Sequence, residues 1–408
     1  MQIRIGRERI VLLRHPDDIN RMLVTAQRCF VKGRALERVK TLLGEGLLTS
    51  EGEAHLRQRR LLQPAFHRDR ITAYGAVMVR EAERVAERWV EGATLDVHEA
   101  MMRLTRDIAG KTLFSLDVGE DPGGVEDAIS LSLKTYRLAV LPLGALVLWL
   151  PLPWVRRAER ARERLKEWLM DTIRRRREEG RDRGDVLSVL LQAQEDGREG
   201  LTDQQVRDEM VTLLMAGHET TAVALSWTWY LLAQHPDVQA RLYAELDTVL
   251  AGRRPTAEDV GQLIYTRMVL AESMRLYPPA WILERRAVTD VELRGYHVPA
   301  GSLVFASQYL VHRDVRWYPD PERFDPERWR PGQQERRPRF AYFPFGAGTR
   351  VCIGEQFAWL EGVLVLATFA QRWCLNQDPA HVVAVEPLVT LRPKFGMWMR
   401  VARPRRSR

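Results

Sequence analysis

The residues best suited to chemistry form a glycine-rich loop around Cys352. The loop reads Phe345-Gly346-Ala347-Gly348-Thr349-Arg350-Val351-Cys352-Ile353-Gly354, and a helical pattern over residues 356–369 follows it. Glycine allows positive φ angles and the close approach of a flat ligand, and the macrodipole of a following helix favours a cysteine thiolate. The pattern predicts a thiolate that can bind a metal, although a single cysteine is more often buried and inert.

A second unusual segment lies in the middle of a long helical pattern. Thr202 and Gln205 have the spacing of a capping box, and no proline interrupts residues 203–234. The middle of this predicted helix reads Ala216-Gly217-His218-Glu219-Thr220-Thr221. A mid-helix glycine costs about 1 kcal/mol relative to alanine, and a buried carboxylate is costly unless it is paired. Either Glu219 faces solvent and Gly217 lets another helix approach, or the helix is distorted over a cofactor and a carboxylate–hydroxyl pair relays protons.

Two pairs of charged residues are weak signals by themselves. Glu272 and Arg275 stand at i, i+3 of a predicted helix, where side chains meet. His55 and Arg59 stand at i, i+4 and share one face of another helix. A surface ion pair and a solvated basic helix explain these patterns as well as a site does, because exposed pairs are common and contribute little.

The periodicity of the chain indicates many helices and fewer strands. Helical patterns dominate as far as about residue 285, and they include residues 238–250 and 260–276. Strand patterns follow at residues 281–283, 291–293, 296–298 and 303–306, and again in the tail at 383–401.

Together, these segments resemble the motifs of the cytochrome P450 family, in the family's order and along the whole chain. The cysteine loop is similar to the haem-binding pattern F-x-x-G-x-R-x-C-x-G, and residues 216–221 are similar to [AG]-G-x-[DE]-T-[TS]. Residues 272–275 match E-x-x-R, residues 326–329 (Pro-Glu-Arg-Trp) resemble the PERF element, and residues 55–59 match H-x-x-x-R.

The resemblance implies the cytochrome P450 fold, which is mainly α with a smaller β part. It implies a single large domain over residues 1–408, with haem between the long central helix and the helix after the cysteine loop. Because the haem-gripping helix around His55 comes early in the chain, we expect a short N-terminus that lacks the first helix of the family.

The resemblance also implies a role for each motif. Cys352 would be the axial thiolate ligand of the iron in haem b. Glu219 and Thr220 would be the catalytic acid–alcohol pair that feeds protons to dioxygen. The members of a structural triad would be Glu272, Arg275 and Arg328, with Arg323 as a less well placed alternative to Arg328.

Further contacts with haem and substrate are implied in the same way. The other residues that would contact haem are His55, Arg59, Arg285, Arg350, Phe345, Gly346, Gly354, Ala216 and Gly217. Arg286 stands beside Arg285, so that register is open by one residue. The residues that would line the substrate pocket are Met215, Ala216, Ala280, Ile282 and Met397.

These roles imply a haem-thiolate monooxygenase that inserts one oxygen atom of dioxygen into a hydrophobic substrate, such as a fatty acid, a terpenoid or a carotenoid. Residues 276–283 are similar to those of thermophile P450s that hydroxylate carotenoids and of fatty-acid hydroxylases. No reductase sequence follows the cysteine helix, so we expect electrons from a separate ferredoxin and ferredoxin reductase, with NADPH or NADH. Two alternatives stay open: a peroxide-driven haem-thiolate enzyme, against which the acid–alcohol pair argues, and a haem-based binding or sensor protein.

Charge narrows the classes of partner. The formal net charge is +8, but the four arginines at 174–177 are followed by Glu178 and Glu179, which is typical of a solvated helix end. We therefore expect no nucleic acid as a partner. A basic surface near the haem would instead attract an acidic electron donor.

The cysteine count and the apolar segments bear on the compartment. The three cysteines show no C-x-x-C spacing, which argues against a disulfide framework and a zinc site and favours a reducing cytoplasm. The first residues lack the apolar segment of a signal peptide. Residues 138–155 are uncharged, but three prolines interrupt them. We therefore predict a core segment, or alternatively an apolar channel mouth or a patch that touches a membrane, and no transmembrane segment.

Overall fold

Helices make up most of the described chain and strands a smaller part, which confirms the class that the sequence predicts. The computed structural model describes residues 1–6, 8–118, 150, 152–195 and 201–404. The helices in these ranges are α1 (Pro16–Asn20), α2 (Arg34–Leu43), α3 (Gly52–Leu62), α4 (Arg68–Ala86), α5 (Val97–Phe114), α6 (Pro153–Glu179), α7 (Val186–Glu195), α8 (Asp203–Gln234), α9 (Pro236–Leu250), α10 (Ile264–Leu276), α11 (Gln308–Val311) and α12 (Glu355–Ala370). The strands are β1 (Gln2–Ile5), β2 (Glu8–Leu13), β3 (Phe30–Lys32), β4 (Thr94–Asp96), β5 (Leu283–Ala287), β6 (Val291–Leu293), β7 (Tyr296–Val298), β8 (Leu303–Ala306), β9 (Cys374–Gln377), β10 (Val385–Pro387), β11 (Leu391–Pro393) and β12 (Trp398–Ala402).

The chain divides into two compact units. The first unit contains Met1–Val31, Ile71–Thr105 and Glu219–Arg408, and the second contains Lys32–Arg70 and Arg106–His218. One boundary between the units therefore falls inside α8. A single domain over residues 1–408 stays a prediction.

Almost all the described strands lie in the first unit. One sheet has the order β1-β2-β8-β5-β3, in which β1 and β2 are antiparallel, β2 and β8 are parallel, and β8 and β5 are antiparallel. A second sheet has the order β4-β12-β9, while β6 with β7 and β10 with β11 form two-stranded sheets. Apolar residues from these strands, from α1 and the turn after it, and from the segment before the cysteine loop pack into one core, including Leu13, Ile19, Met22, Val304 and Phe340.

Helix α12, which follows the cysteine loop, is buried on nearly all sides. Every residue from position 359 to 370 is buried, and almost all of them are apolar. A helix that is hydrophobic all round belongs in the core of a protein. Because α12 is fixed in this way, the loop that leads into it has a firm C-terminal support.

Helix α8 has the bounds that the sequence predicts. Its capping box is formed: the hydroxyl of Thr202 accepts the N–H of Gln205 at 3.2 Å, and the side-chain oxygen of Gln205 accepts the N–H of Thr202 at 2.9 Å. The helix ends at Gln234, and Pro236 begins α9, as expected for a residue that cannot continue a helix but can start one.

The prediction of one helix over residues 260–276 was wrong in its first turn. A 3₁₀ turn at Ala257–Gly261 comes first, and α10 begins at Ile264. The carboxylate of Glu245 accepts the N–H of Thr266 at 2.8 Å and so caps the start of α10. A side chain from the preceding helix therefore sets this boundary.

The strand predicted from position 281 begins two residues later, at Leu283. The carbonyl of Trp281 accepts the N–H of Tyr309 at 3.2 Å and the hydroxyl of Ser307 at 3.0 Å. Because Trp281 is bonded outside the sheet, the ladder starts after it.

Among the described residues, no helix is both long enough and apolar enough to cross a membrane. Most of the apolar stretch at 138–155 lies outside the described residues. Its last three positions form the start of α6.

Candidate active site

The loop before Cys352 is held by backbone hydrogen bonds and by two glycines. The N–H of Cys352 donates to the carbonyl of Phe345 at 2.9 Å. Gly346 and Gly348 both have φ of +70°, a conformation that costs other residues about 1–2 kcal/mol. A Cβ on Gly348 would lie 2.0 Å from the carbonyl oxygen of Leu23, so no larger residue fits there.

The thiol-bearing residue of this loop is exposed. Cys352 stands just before Gly354, the N-cap of α12, and is open to solvent in the first unit. The loop thus combines an exposed soft donor with a backbone that a flat ligand can approach closely. This donor set fits the haem iron that the resemblance implies, because cysteine thiolate is one of the axial ligands that haem proteins use.

Behind the loop, Glu272 and Arg275 form a fully buried ion pair. Both side chains are 0 % exposed, and Arg275 donates to the two carboxylate oxygens from Nε and Nη2 at 2.8 Å each. Arg328 adds a contact of 3.3 Å from its Nε to Glu272 Oε1. Arg323 contributes only its carbonyl oxygen, which accepts a hydrogen bond from Arg275 at 3.0 Å. The structure thus brings together the three predicted triad residues.

Trp329 is a third side-chain partner of Glu272 that the sequence did not reveal. Its indole Nε1–H donates to Glu272 Oε2 at 2.8 Å, and the N–H of Asp325 donates to Oε1 at 2.9 Å. The signal that could have found Trp329 is its position: it stands where the PERF element has phenylalanine, which has no N–H to donate.

His312 is a second residue that sequence reasoning missed. Its ring is fully buried, and Nε2 accepts the N–H of Phe343 at 3.0 Å. Burial lowers the pKa of His312 well below its usual value, and the charges of Arg275 and Arg313 lower it further. The ring is therefore neutral, and the hydrogen bond assigns its proton to Nδ1. His312 connects the segment before the cysteine loop to the buried ion pair, because its own carbonyl accepts Arg275 Nη1 at 2.9 Å.

Glu219 is buried, and its partner comes from a distant part of the chain. Its side chain accepts the hydroxyl hydrogen of Thr390 at 2.7 Å, on Oε1. Burial raises the pKa of Glu219, while the Thr390 hydroxyl and the charge of Arg392 lower it in part. Glu219 does not face solvent, being only 5 % exposed, so the solvent-facing alternative is excluded. Thr220, its neighbour, is half-buried.

In the second unit, the predicted residues lie on α3 and on the first part of α8. His55 is buried and Arg59 is half-buried on α3. On α8, Met215 and Gly217 are half-buried and Ala216 is exposed, although the turns before them are largely buried. A Cβ on Gly217 would lie 3.7 Å from the nearest atom, the Cβ of Ala109, which is ordinary contact. Close helix packing therefore does not require glycine at this position.

The remaining predicted residues lie in the first unit. Arg285 and Arg286 are both half-buried on β5, where neighbouring side chains point to opposite faces. Arg350 is half-buried beside the cysteine. Of the predicted pocket residues, Ala280 and Ile282 are half-buried and Met397 is fully buried.

Replacing Trp329 by phenylalanine should weaken the cluster around Glu272. The change keeps an aromatic ring but removes a hydrogen bond to a buried carboxylate, which is worth about 1.5–3 kcal/mol. We expect a loss of that size in the free energy of unfolding, measured by urea denaturation of the holoprotein followed by circular dichroism.

Trp373→Phe is the matched control for this prediction. The indole of Trp373 is also buried, but it donates to a neutral carbonyl, that of Ala86, at 2.8 Å. Its loss should cost only about 0.5–1.5 kcal/mol. Equal losses in the two variants would contradict a charge-assisted role for Trp329.

Comparisons with known proteins show to which family the chain belongs. Residues 1–396 match the family model for Cytochrome P450. The chain is 42 % identical over 385 residues to cyclooctat-9-en-7-ol 5-monooxygenase of Streptomyces melanosporofaciens, with 93 % of this chain and 83 % of that protein covered. It is 35 % identical over 394 residues to pentalenene oxygenase of Streptomyces avermitilis, with 96 % and 87 % covered.

The solved structures lead to the same family. Cyanobacterial CYP120A1 with retinoic acid bound superposes with a TM-score of 0.88 and 29 % identity, covering 99 % of this chain and 91 % of that one. Members of the family hold haem through a cysteine thiolate. The match along nearly the whole sequence confirms the predicted family, fold and enzyme class. The chain belongs to the cytochrome P450 family and is a monooxygenase.

Proposed function

We propose that this monooxygenase hydroxylates a hydrophobic, terpenoid-like substrate, with Cys352 as the thiolate ligand of its haem iron. The exposed thiol in the constrained loop is the observation that carries the proposal. One atom of dioxygen enters a substrate C–H bond, and the other leaves as water with two electrons and two protons. Haem, when bound, supplies the activation of dioxygen that this reaction needs.

The chain's own residues would hold and orient the cofactor. Cys352 would bind the iron, and the backbone of Gly346 and Gly354 would allow close approach of the ring. Arginine and histidine donors suit the two carboxylates of haem b, since guanidinium groups bind carboxylates in a bidentate way. The residues proposed for this role are Arg285, Arg350, His55 and Arg59.

Glu219 and Thr220 would move protons to dioxygen. Burial keeps Glu219 able to hold a proton at a higher pH than an exposed glutamate, which suits an acid that works near neutral pH. Thr390 would fix the direction of the carboxyl group through its hydrogen bond to Oε1. Thr220, next in the helix, would present its hydroxyl to the oxygen that accepts the proton.

The substrate class rests on apolar residues and on the relatives. The residues proposed to line the pocket, Met215, Ala216, Ala280, Ile282 and Met397, carry no charge. The two curated relatives act, by their names, on cyclooctat-9-en-7-ol and pentalenene, and the solved relative binds retinoic acid. These names favour a terpenoid over a fatty acid, because the first two are terpenoids.

The electron donor is proposed to be an acidic ferredoxin with its reductase. In the first unit, a cleft of about 770 Å³ borders residues 345–348 of the cysteine loop. The arginines that line it are Arg267, Arg330, Arg337 and Arg339, against two glutamates. Such a basic surface attracts an acidic protein and raises its association rate. We also propose a cytoplasmic location, because the cytoplasm keeps cysteine thiols reduced.

Cys352→Ala tests the thiolate ligand. The reduced wild-type protein under carbon monoxide should show the red-shifted Soret band of thiolate-ligated haem, and the variant should lose it completely. Cys374→Ala is the matched control, since Cys374 is a buried cysteine in β9 of the same unit, and it should keep the band. A variant at Cys352 that keeps the red-shifted band would refute the assignment.

Thr390→Val tests the proton route through a pH profile. The change removes a hydrogen bond that lowers the pKa of Glu219, so this pKa should rise. The inflection of kcat that belongs to Glu219 should therefore move to higher pH, whereas Thr390→Ser should leave it in place.

Thr220→Ala tests the second member of the proposed pair, and this variant should release more hydrogen peroxide per NADPH used. An unshifted profile in Thr390→Val, or unchanged coupling in Thr220→Ala, would count against these roles.

A substrate and donor assay tests the overall reaction. The ferric protein should be titrated with four compounds while its haem spectrum is recorded: cyclooctat-9-en-7-ol, pentalenene, retinoic acid and lauric acid. We expect one of the first three compounds to bind most tightly. With that compound, ferredoxin, reductase and NADPH should yield a hydroxylated product. Peroxide giving the same rate without donors would favour the peroxygenase alternative, and binding without any product would favour a sensor. Tightest binding of lauric acid would refute the terpenoid proposal.

A further inference from the structure

The first unit contains a buried carboxyl group for which the proposed mechanism has no role. Glu361 lies in the buried part of α12, nine residues after Cys352, and is 0 % exposed. Both of its carboxyl oxygens are buried, and neither has a hydrogen-bond partner of standard geometry. Buried polar groups are normally paired, so each exception calls for a physical reason.

The carboxyl of Glu361 is neutral at neutral pH. Burial raises its pKa from 4.5 to about 8, and the hydroxyl of Thr221 lowers it in part. Within the described parts of the chain, no charged side chain contributes to this pKa. A protonated carboxyl has both a donor and an acceptor, so it can bond a hydroxyl in either direction.

Thr221 connects this group to the acid–alcohol pair. It lies on α8 directly after Thr220, and it is buried whereas Thr220 is half-buried. Neighbouring residues of a helix point about 100° apart, so Thr221 faces the protein interior while Thr220 faces another way. Whatever holds Thr221 also fixes the rotation of α8 at Thr220.

We infer that Glu361 is a positioning residue for oxygen activation: its buried carboxyl joins the helix that follows Cys352 to Thr221 on α8 and so holds Thr220 in place. The inference rests on the proposed roles of Cys352 and Thr220. A carboxylate could not do the same, because a buried ion without a charged partner is strongly destabilising. The contact also explains why a titratable group is tolerated in an otherwise apolar helix.

Three variants separate this role from simple packing. Glu361→Gln keeps the shape, a donor and an acceptor, Glu361→Leu removes both polar functions, and Thr221→Val removes the hydroxyl. Product and hydrogen peroxide per NADPH should be measured in the holoproteins with ferredoxin, reductase and cyclooctat-9-en-7-ol. We expect Glu361→Leu and Thr221→Val each to raise the peroxide share about threefold or more and, as coupled sites do, to add little when combined.

Glu361→Gln should keep the coupling of NADPH use to product formation near the wild-type value at pH 7. Above about pH 8 the wild type should itself release more peroxide, because Glu361 then ionises, while Glu361→Gln should stay constant. Normal coupling in Glu361→Leu, with the red-shifted Soret band retained, would overturn the inference. A wild type that forms no product at all would instead refute the proposed function.

The pH dependence of unfolding tests the same group without any substrate. The pKa of Glu361 is about 8 in the folded protein and 4.5 for an ordinary glutamate, as in the unfolded chain. Between these two pH values Glu361 holds a proton only in the folded protein, so the wild type loses stability as pH rises from about 4.5 to 8. Glu361→Gln does not titrate. Its Tm relative to that of the wild type should therefore increase between about pH 5 and pH 8 and then level off. A constant Tm difference over this range would also overturn the inference, because Glu361 would then be ionised or exposed.

Discussion

The ion-pair cluster around the buried carboxylate of Glu272 is the interaction on which the segment leading to the cysteine loop depends. An ion inside a protein carries a desolvation cost of several kcal/mol, and only good geometry and additional hydrogen bonds offset it. Glu272 has both: Arg275, Trp329 and the N–H of Asp325 donate hydrogen bonds to it. The guanidinium of Arg328 adds an ion-pair contact of 3.3 Å. Removal of one partner would leave part of this cost without compensation, so the partners of Glu272 depend on one another.

Arg275 extends the same constraint to a long irregular segment. Its guanidinium also donates to the carbonyls of His312, Pro321 and Arg323 at 2.7–3.0 Å. That segment has no sheet partner to satisfy its backbone, so a buried arginine takes the place of a ladder. From His312 the constraint passes to Phe343, and the hydroxyl of Tyr342 donates to the carbonyl of Ala271 on α10 at 3.0 Å. The start of the cysteine loop is thereby fixed against α10, and its end against α12.

The sequence predicted local arrangements well and distant ones poorly. Glu272 with Arg275, and the capping box of α8, could be found because both depend on residues three positions apart. Trp329, Thr390 and the cap that Glu245 places on α10 depend on residues that the chain brings together only by folding. The periodicity of a sequence contains no information about contacts between distant residues. For this reason the predicted helix at 260–276 was about one turn longer than α10, which begins at Ile264. The order of the motifs, in contrast, was enough to predict the family, because the motifs are spread along the whole chain.

Burial changes the meaning of the acidic residues near α8. From the sequence alone, Glu209, Glu219 and Glu361 would each be counted as a negative charge at neutral pH. Burial raises the pKa of each of them, to about 7 for Glu209 and about 8 for Glu361. At these three carboxyl groups the folded protein therefore binds more protons than the unfolded chain, and their contribution to stability falls as pH rises through the raised pKa values. For Glu361 alone the linkage amounts to roughly 5 kcal/mol. A fold that accepts such a penalty in an apolar helix gains little packing from it, because leucine would fill the space without a polar group. A carboxyl group can bond the hydroxyl of Thr221 and leucine cannot, and this bond is the gain that the positioning role proposed for Glu361 assigns to it.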